Sequence, residues 1–103
     1  MENRDVPSMI RNSADLYEKR NQDYGDNYKT FGYVMAGMFP NGVRLSTAED
    51  FNRFGAFTQM VSKLTRYSNN FSKGGHDDSL EDLAVYAHML RELDAIANSD
   101  VPF

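Results

Sequence analysis

The sequence predicts an all-α fold, and three observations carry that prediction. Apolar residues recur at three- and four-residue spacings over several long stretches. Two of those stretches are preceded by a hydroxyl or carboxylate residue with an acid three positions on, the spacing of a capping box. No run of β-branched residues alternates over more than a few positions, so strand signals are nearly missing.

The first helix is expected from about Pro7 to Gln22, where Met9, Ile10, Ala14 and Tyr17 recur behind Asp5 or Ser8 as N-caps. Asp23-Tyr24-Gly25-Asp26-Asn27-Tyr28 sets a glycine among polar turn formers and ends it. A short second helix is expected from Thr30 to Phe39, closed by Pro40-Asn41-Gly42. Ser46-Thr47-Ala48-Glu49 has capping-box spacing and opens a long third helix, whose Phe54, Phe57, Val61, Leu64 and Phe71, with Ser68 filling one step, form one apolar seam. Lys73-Gly74-Gly75 stops it. Asp78-Ser79-Leu80-Glu81 repeats the capping spacing, and Leu80, Leu83, Ala84, Ala87, Leu90 and Leu93 make the seam of a last helix running to about Asn98. The two long helices are expected to pair as an antiparallel hairpin. So little interior belongs to two long and two shorter helices that the bundle is expected to be completed by a homo-oligomer, a dimer or higher.

The 103 residues make a single domain, with no room for separate catalytic and regulatory modules. Eleven Lys and Arg against fifteen Asp and Glu give a net charge of -4, and no basic run occurs, which argues against duplex nucleic acid as partner. A small anion needs only one or two placed cations and stays within reach of such a chain. There is no Cys, which excludes disulfides, thiolate nucleophiles and Cys-ligated zinc. Met1-Glu2-Asn3-Arg4-Asp5 lacks the basic-then-apolar order of an export signal, and no apolar stretch reaches spanning length. A cytoplasmic protein without a membrane partner is therefore expected.

Two groups of residues can carry chemistry. On the third helix Gln59, Lys63, Arg66 and Asn70 stand four, three and four apart and share one polar, partly cationic stripe. On the last helix Asp78, Glu81, Asp82 and Tyr86 share a flank, and antiparallel packing sets Arg66 opposite Asp78 or Asp82. One reading is a phosphate site: Lys63 supplies a point charge, Arg66 a planar fork, and the acids hold Mg²⁺, which takes few protein carboxylates when phosphate and water fill its other positions. The other is a set of interhelical ion pairs on a solvated face, with Asp78 as N-cap, and it explains the same residues. The second group is Arg20, Asp23, Tyr24 and Gly25. Taken alone it reads as a glycine-capped helix end; functionally, Tyr24 or Tyr28 can stack on a base and Arg20 or Asp23 can reach a ligand. His76 suits a metal ligand, a base or a solvated turn, and His88 reads as surface.

In order and spacing, Arg20-x-x-Asp23-Tyr24-Gly25, Lys63-x-x-Arg66, and Asp77-Asp78 with Glu81-Asp82 and Tyr86 resemble the small all-α phage and bacterial proteins of the nucleotide modification associated domain 1 family. Those are similar in turn to MazG-like nucleoside triphosphate pyrophosphohydrolases. The resemblance spans roughly Leu16 to Leu93. It implies a MazG-like helical bundle that binds nucleotides, oligomerises, and in the pyrophosphohydrolases cleaves between the α and β phosphates with Mg²⁺. Asp78, Glu81 and Asp82 would then be catalytic and metal-ligating, and Arg20, Asp23, Tyr24, Lys63, Arg66 and Tyr86 ligand-binding. One departure stands out: where MazG-like enzymes carry a Glu-x-x-Glu pair, this chain has Lys63-x-x-Arg66, which removes half of the metal-holding carboxylates. Asp15-x-x-Glu18 can replace that pair only if the first helix packs beside the last. Three functions follow as expectations: Mg²⁺-dependent hydrolysis of a nucleoside triphosphate; a non-catalytic binder that sequesters a nucleotide or cyclic nucleotide signal, an anti-defence sponge; and a protein-binding phage product using exposed aromatics and the Val101-Pro102-Phe103 tail.

Overall fold

The computed structural model describes residues 4–99, with Asp23 and Tyr24 described by their backbone alone. Four α-helices follow one another: α1 (Val6–Tyr24), α2 (Asn27–Met38), α3 (Ala48–Asn70) and α4 (Asp77–Ala97), with a 3₁₀ turn over Phe71–Lys73. No strand occurs among the described residues, so the all-α expectation holds. Nor is any described helix long and apolar enough to cross a membrane.

Local chemistry accounts for each boundary. Asp5 caps α1 by accepting from the Ser8 amide at 2.9 Å, and Pro7 sits in the first turn, where its missing N–H is not needed. Gly25 ends α1 in a backbone conformation, φ 58 and ψ -148, that glycine alone adopts readily. Asn21 then ties the turn down by donating to the Gly25 carbonyl at 2.9 Å. The chain re-enters a helix almost at once, so α2 starts at Asn27, three residues before the expected Thr30.

The capping box of α3 is displaced by one residue from Ser46/Glu49. Thr47 is the N-cap: its hydroxyl accepts from the Asp50 amide at 3.1 Å, and the Asp50 carboxylate accepts from the amides of Thr47 at 3.2 Å and Ser46 at 3.1 Å. The short Asp side chain reaches both amides, which is why it takes the role expected of Glu49. On α4 the expected N-cap Asp78 is replaced by His76. Its Nδ1 accepts from the Ser79 amide at 3.3 Å and lies 2.8 Å from the Ser79 hydroxyl, which drives Ser79 into full burial. Asp77 and Asp78 fall instead in the first turn, where the helix dipole favours acids.

Helix α3 is the centre of the molecule, with α4 along one flank and α1 and α2 on the other. The antiparallel hairpin is pinned near both ends: Lys63 Nζ meets Asp82 Oδ2 at 3.4 Å, and Arg53 Nε donates to Asp94 Oδ1 at 2.8 Å. On the α2 side Phe39, Phe54 and Phe57 form an edge-and-stack cluster with ring centroids 5.5–6.5 Å apart.

Val61, 2% exposed, is the one large apolar side chain fully buried among the described residues. The α3 seam is correct only in its first half. Phe54, Phe57 and Val61 turn inward, but Leu64 and Phe71 are exposed, Phe71 by 72%, and Thr65 and Asn70 are buried in their place. With partners on two flanks, α3 buries a wider arc than one stripe. Leu80 on α4 is likewise exposed, while Ser79 beside it is buried.

Candidate functional site

Between α1, α2 and α3 lies an open cleft of about 580 Å³, a size that accommodates a small organic ligand. Its aromatic walls are Tyr17 of α1 with Tyr28 and Phe31 of α2, and Arg20 of α1 lies at its edge. Its polar lining is Asn21, Asn27, Thr58, Gln59 and Ser62. Tyr17 and Tyr28 meet edge-on, ring centroids 6.3 Å apart and hydroxyls 3.2 Å apart. That hydrogen bond, more than burial, raises the Tyr17 hydroxyl above the usual tyrosine range. Lys29 Nζ lies 5.6 Å from the Tyr28 ring centre and 3.6 Å from Asp26, whose charge raises the lysine's pKa.

The cleft is a product of local chain chemistry. The Gly25 turn folds α2 back beside the end of α1, and a Cβ at Gly25 would stand 3.2 Å from Asn69 Nδ2, so the turn is held close against α3. Asn27, the first residue of α2, donates to the Ser62 carbonyl at 3.4 Å. Its Oδ1 is buried and accepts no hydrogen bond from the described residues. A buried amide oxygen left this way is a ready acceptor for a ligand N–H.

Gln59 and Ser62 line this cleft, and Lys63 and Arg66 each stand four residues further along α3, one helical turn beyond the lining. Lys63 turns toward α4, its side chain 19% exposed and held by Asp82. The stripe thus meets the acidic flank of α4 through Lys63, which reaches Asp82. Arg66 is half-buried with its Nε shielded from solvent. Tyr86, half-buried, stands one turn beyond Asp82 on α4.

The acidic residues divide. Asp77, Asp78 and Glu81 can bring one carboxylate oxygen each within 4.8 Å of one another, all exposed, whereas Asp82 is engaged by Lys63. Asp77 therefore takes the place in the cluster expected of Asp82. An all-oxygen donor set fits a hard cation such as Mg²⁺, and an acid-rich first turn fits the helix dipole without one. Asp15 and Glu18 are exposed on α1, whose packing is against α3, so they do not complete that cluster. His88 is exposed, with its Nδ1 3.3 Å from Arg91, as a surface histidine should be. Arg20 lies at the edge of the cleft; the side chains of Asp23 and Tyr24, and the Val101-Pro102-Phe103 tail, lie outside the described residues.

Sequence reasoning did not single out Asn21, Asn27, Phe31, Thr58 or Ser62. Asn27 carried one signal, a side-chain amide directly after a glycine turn; the others become neighbours only when α2 folds onto α3. No protein-family model, no curated protein and no solved structure matches this chain.

Proposed function

We propose that this protein binds a nucleotide, with the base in the cleft between α1, α2 and α3 and the phosphates against Lys63 and Arg66. The observation that carries the reading is the cleft itself: aromatic walls, a cation at the edge and a buried Asn27 Oδ1 with no donor among the described residues, with Lys63 and Arg66 one helical turn beyond its lining on α3. Aromatic rings give a base its stacking surface, amides and hydroxyls read its edge, and Lys and Arg neutralise phosphate charge. Sequestration of a nucleotide or cyclic nucleotide without turnover needs nothing more. The likeness to nucleotide modification associated domain 1 and MazG-like proteins supports the same ligand class.

Hydrolysis is the second reading, favoured by the mutual approach of Asp77, Asp78 and Glu81. These residues, with Asp82 if Lys63 releases it to phosphate, would hold Mg²⁺, which supplies Lewis acidity and lowers the pKa of water. Lys63 and Arg66 would neutralise charge developing on the phosphates.

The test is a panel of nucleoside triphosphates and cyclic nucleotides, titrated by calorimetry with Mg²⁺ and with chelator, with chromatography of the recovered ligand. Intact ligand bound without metal supports sequestration; pyrophosphate release that needs Mg²⁺ and is lost in Asp78→Asn supports hydrolysis. Tyr28→Ala and Lys63→Ala should each weaken binding by about tenfold or more, from lost stacking and a lost charge-assisted hydrogen bond. If no member of the panel binds, the nucleotide reading is wrong.

A further inference from the structure

Between the segment that joins α2 to α3, the first turns of α3 and the last turns of α4 lies a second hollow, about 260 Å³ and open to solvent. It shares no lining residue with the cleft between α1, α2 and α3. Phe39, Phe54 and Phe57 supply an aromatic wall, and Leu45 and Leu90 an aliphatic one, all of them half-buried. The chain around it fixes its shape. Gly42, at φ 77, donates to the Phe39 carbonyl at 2.9 Å and closes the turn through Pro40 and Asn41. At the other end the Asp50 carboxylate fastens the amides of Ser46 and Thr47. Val43, Arg44 and Leu45 are thus suspended between two fixed points, so a guest meets a wall that needs little ordering on binding.

The charges on its rim are unequally satisfied. Asp94 is paired with Arg53, whose Nε donates to it at 2.8 Å, and Asp50 is held by two backbone amides in the first turn of α3. Arg53 gives Asp94 only that Nε, so its terminal N–H groups remain available. Arg44 is exposed and has no hydrogen-bond or ion-pair partner among the described residues. Each acid already faces its donors, whereas the charge on Arg44 is offset by nothing described. An aromatic hollow with one uncompensated guanidinium on its rim calls for a flat apolar body that carries a negative charge.

We propose that this hollow binds a small aromatic monocarboxylate, its ring against Phe39, Phe54 and Phe57 and its carboxylate on Arg44 and the free edge of Arg53. Three limits define that class. The volume falls just below the range of drug-sized ligands, so it admits one ring with a short acidic arm rather than a nucleoside with its phosphates. The three phenylalanines already meet edge-on or offset, with ring centroids 5.5–6.5 Å apart, and a further ring extends the same arrangement. A planar guanidinium fork matches a carboxylate in shape, and one uncompensated cation matches a single negative charge. The site stands apart from the cleft and does not depend on the nucleotide reading.

Phenylacetate is the probe, with phenylacetamide and 2-phenylethylamine as neutral and cationic counterparts of nearly the same shape, each titrated into the full chain and followed by backbone amide chemical shifts. Phenylacetate should bind about tenfold more tightly than either counterpart, moving the amides of Val43, Arg44 and Leu90 while those of Asn21, Asn27 and Ser62 stay in place. Arg44→Gln should weaken phenylacetate about tenfold and leave phenylacetamide unchanged; its side chain is exposed, so the fold is not at stake. Leu45→Trp fills the hollow and should abolish phenylacetate binding in a chain whose circular dichroism still matches wild type. If that variant fails to fold, Arg44→Gln decides alone. Equal affinity for the amide, undiminished binding in Arg44→Gln or in folded Leu45→Trp, shifts confined to the other cleft, or no saturation up to about 10 mM phenylacetate overturns the proposal.

Discussion

Replacing Asp82 with Asn separates the role of Lys63 as a phosphate cation from its role as a hairpin clasp, because the two respond with opposite sign. The carboxylate lies 3.4 Å from the Lys63 ammonium and is half-exposed, so the pair is screened on one side. Unscreened, such a separation is worth roughly 1 kcal/mol at the dielectric of water and about 5 kcal/mol at an effective value of 20, but desolvation and side-chain ordering leave exposed pairs a net of about 0.5–1 kcal/mol. Asp82→Asn should therefore lower the melting temperature by roughly 2–6 °C. Ligand binding should move the other way. Asp82 repels any phosphate that Lys63 holds; at about 6 Å and an effective dielectric near 40 that repulsion is roughly 1.4 kcal/mol, so nucleotide affinity in chelator should rise about five- to tenfold. Thermal unfolding by circular dichroism and calorimetric titration read the two effects on one preparation. Asp94→Asn serves as control, since it breaks the Arg53 pair at the opposite end of the hairpin and should lower stability without touching affinity. Reduced stability with unchanged or weakened metal-free affinity would refute a phosphate role for Lys63. If Mg²⁺ chemistry operates, the same variant should also lose metal-dependent turnover while it gains metal-free affinity.

Other consequences follow from single contacts. His76→Ala removes the α4 cap and strips the buried Ser79 hydroxyl of its partner, a loss of about 1–2 kcal/mol that a urea unfolding midpoint will register. Gly25→Ala places a side chain on backbone with φ 58 and ψ -148, and should cost about 1–3 kcal/mol while weakening ligand binding through the displaced turn. The amides of Ser46 and Thr47 hold Asp50 below its ordinary value near 3.8, so its contribution to stability is intact above that value and is lost as pH falls through the lowered one. The stability gap between wild type and Asp50→Asn, followed by thermal melts at successive pH values, should be constant near neutrality and close in that acidic window; a gap that persists below it would show that Asp50 acts through something other than its charge.

The parts of this structure that sequence makes legible are those governed by neighbours along the chain. Asp5, Gly25, the Pro40-Asn41-Gly42 turn and the Gly74-Gly75 turn mark helix ends because caps and positive-φ glycines act over four or five residues. Even there, competition among adjacent candidates was settled by reach: Thr47 with Asp50 displaced Ser46 with Glu49, and His76 displaced Asp78 because its ring nitrogen could meet both polar groups of Ser79. The stripe of Lys63 and Arg66 and the acidic flank of α4 were visible as helical spacing, but not the pairing between them, which depends on axial offset between two helices. Tertiary packing alone decided that Leu64 and Phe71 face outward and that Asn27 and Ser62 join Arg20 around one cleft. The reason is rotational. A helix pattern tells which residues share a face, whereas the direction each side chain takes is set by partners on both sides: of the α3 stripe, Gln59 lines the cleft while Lys63 reaches across to Asp82 of α4.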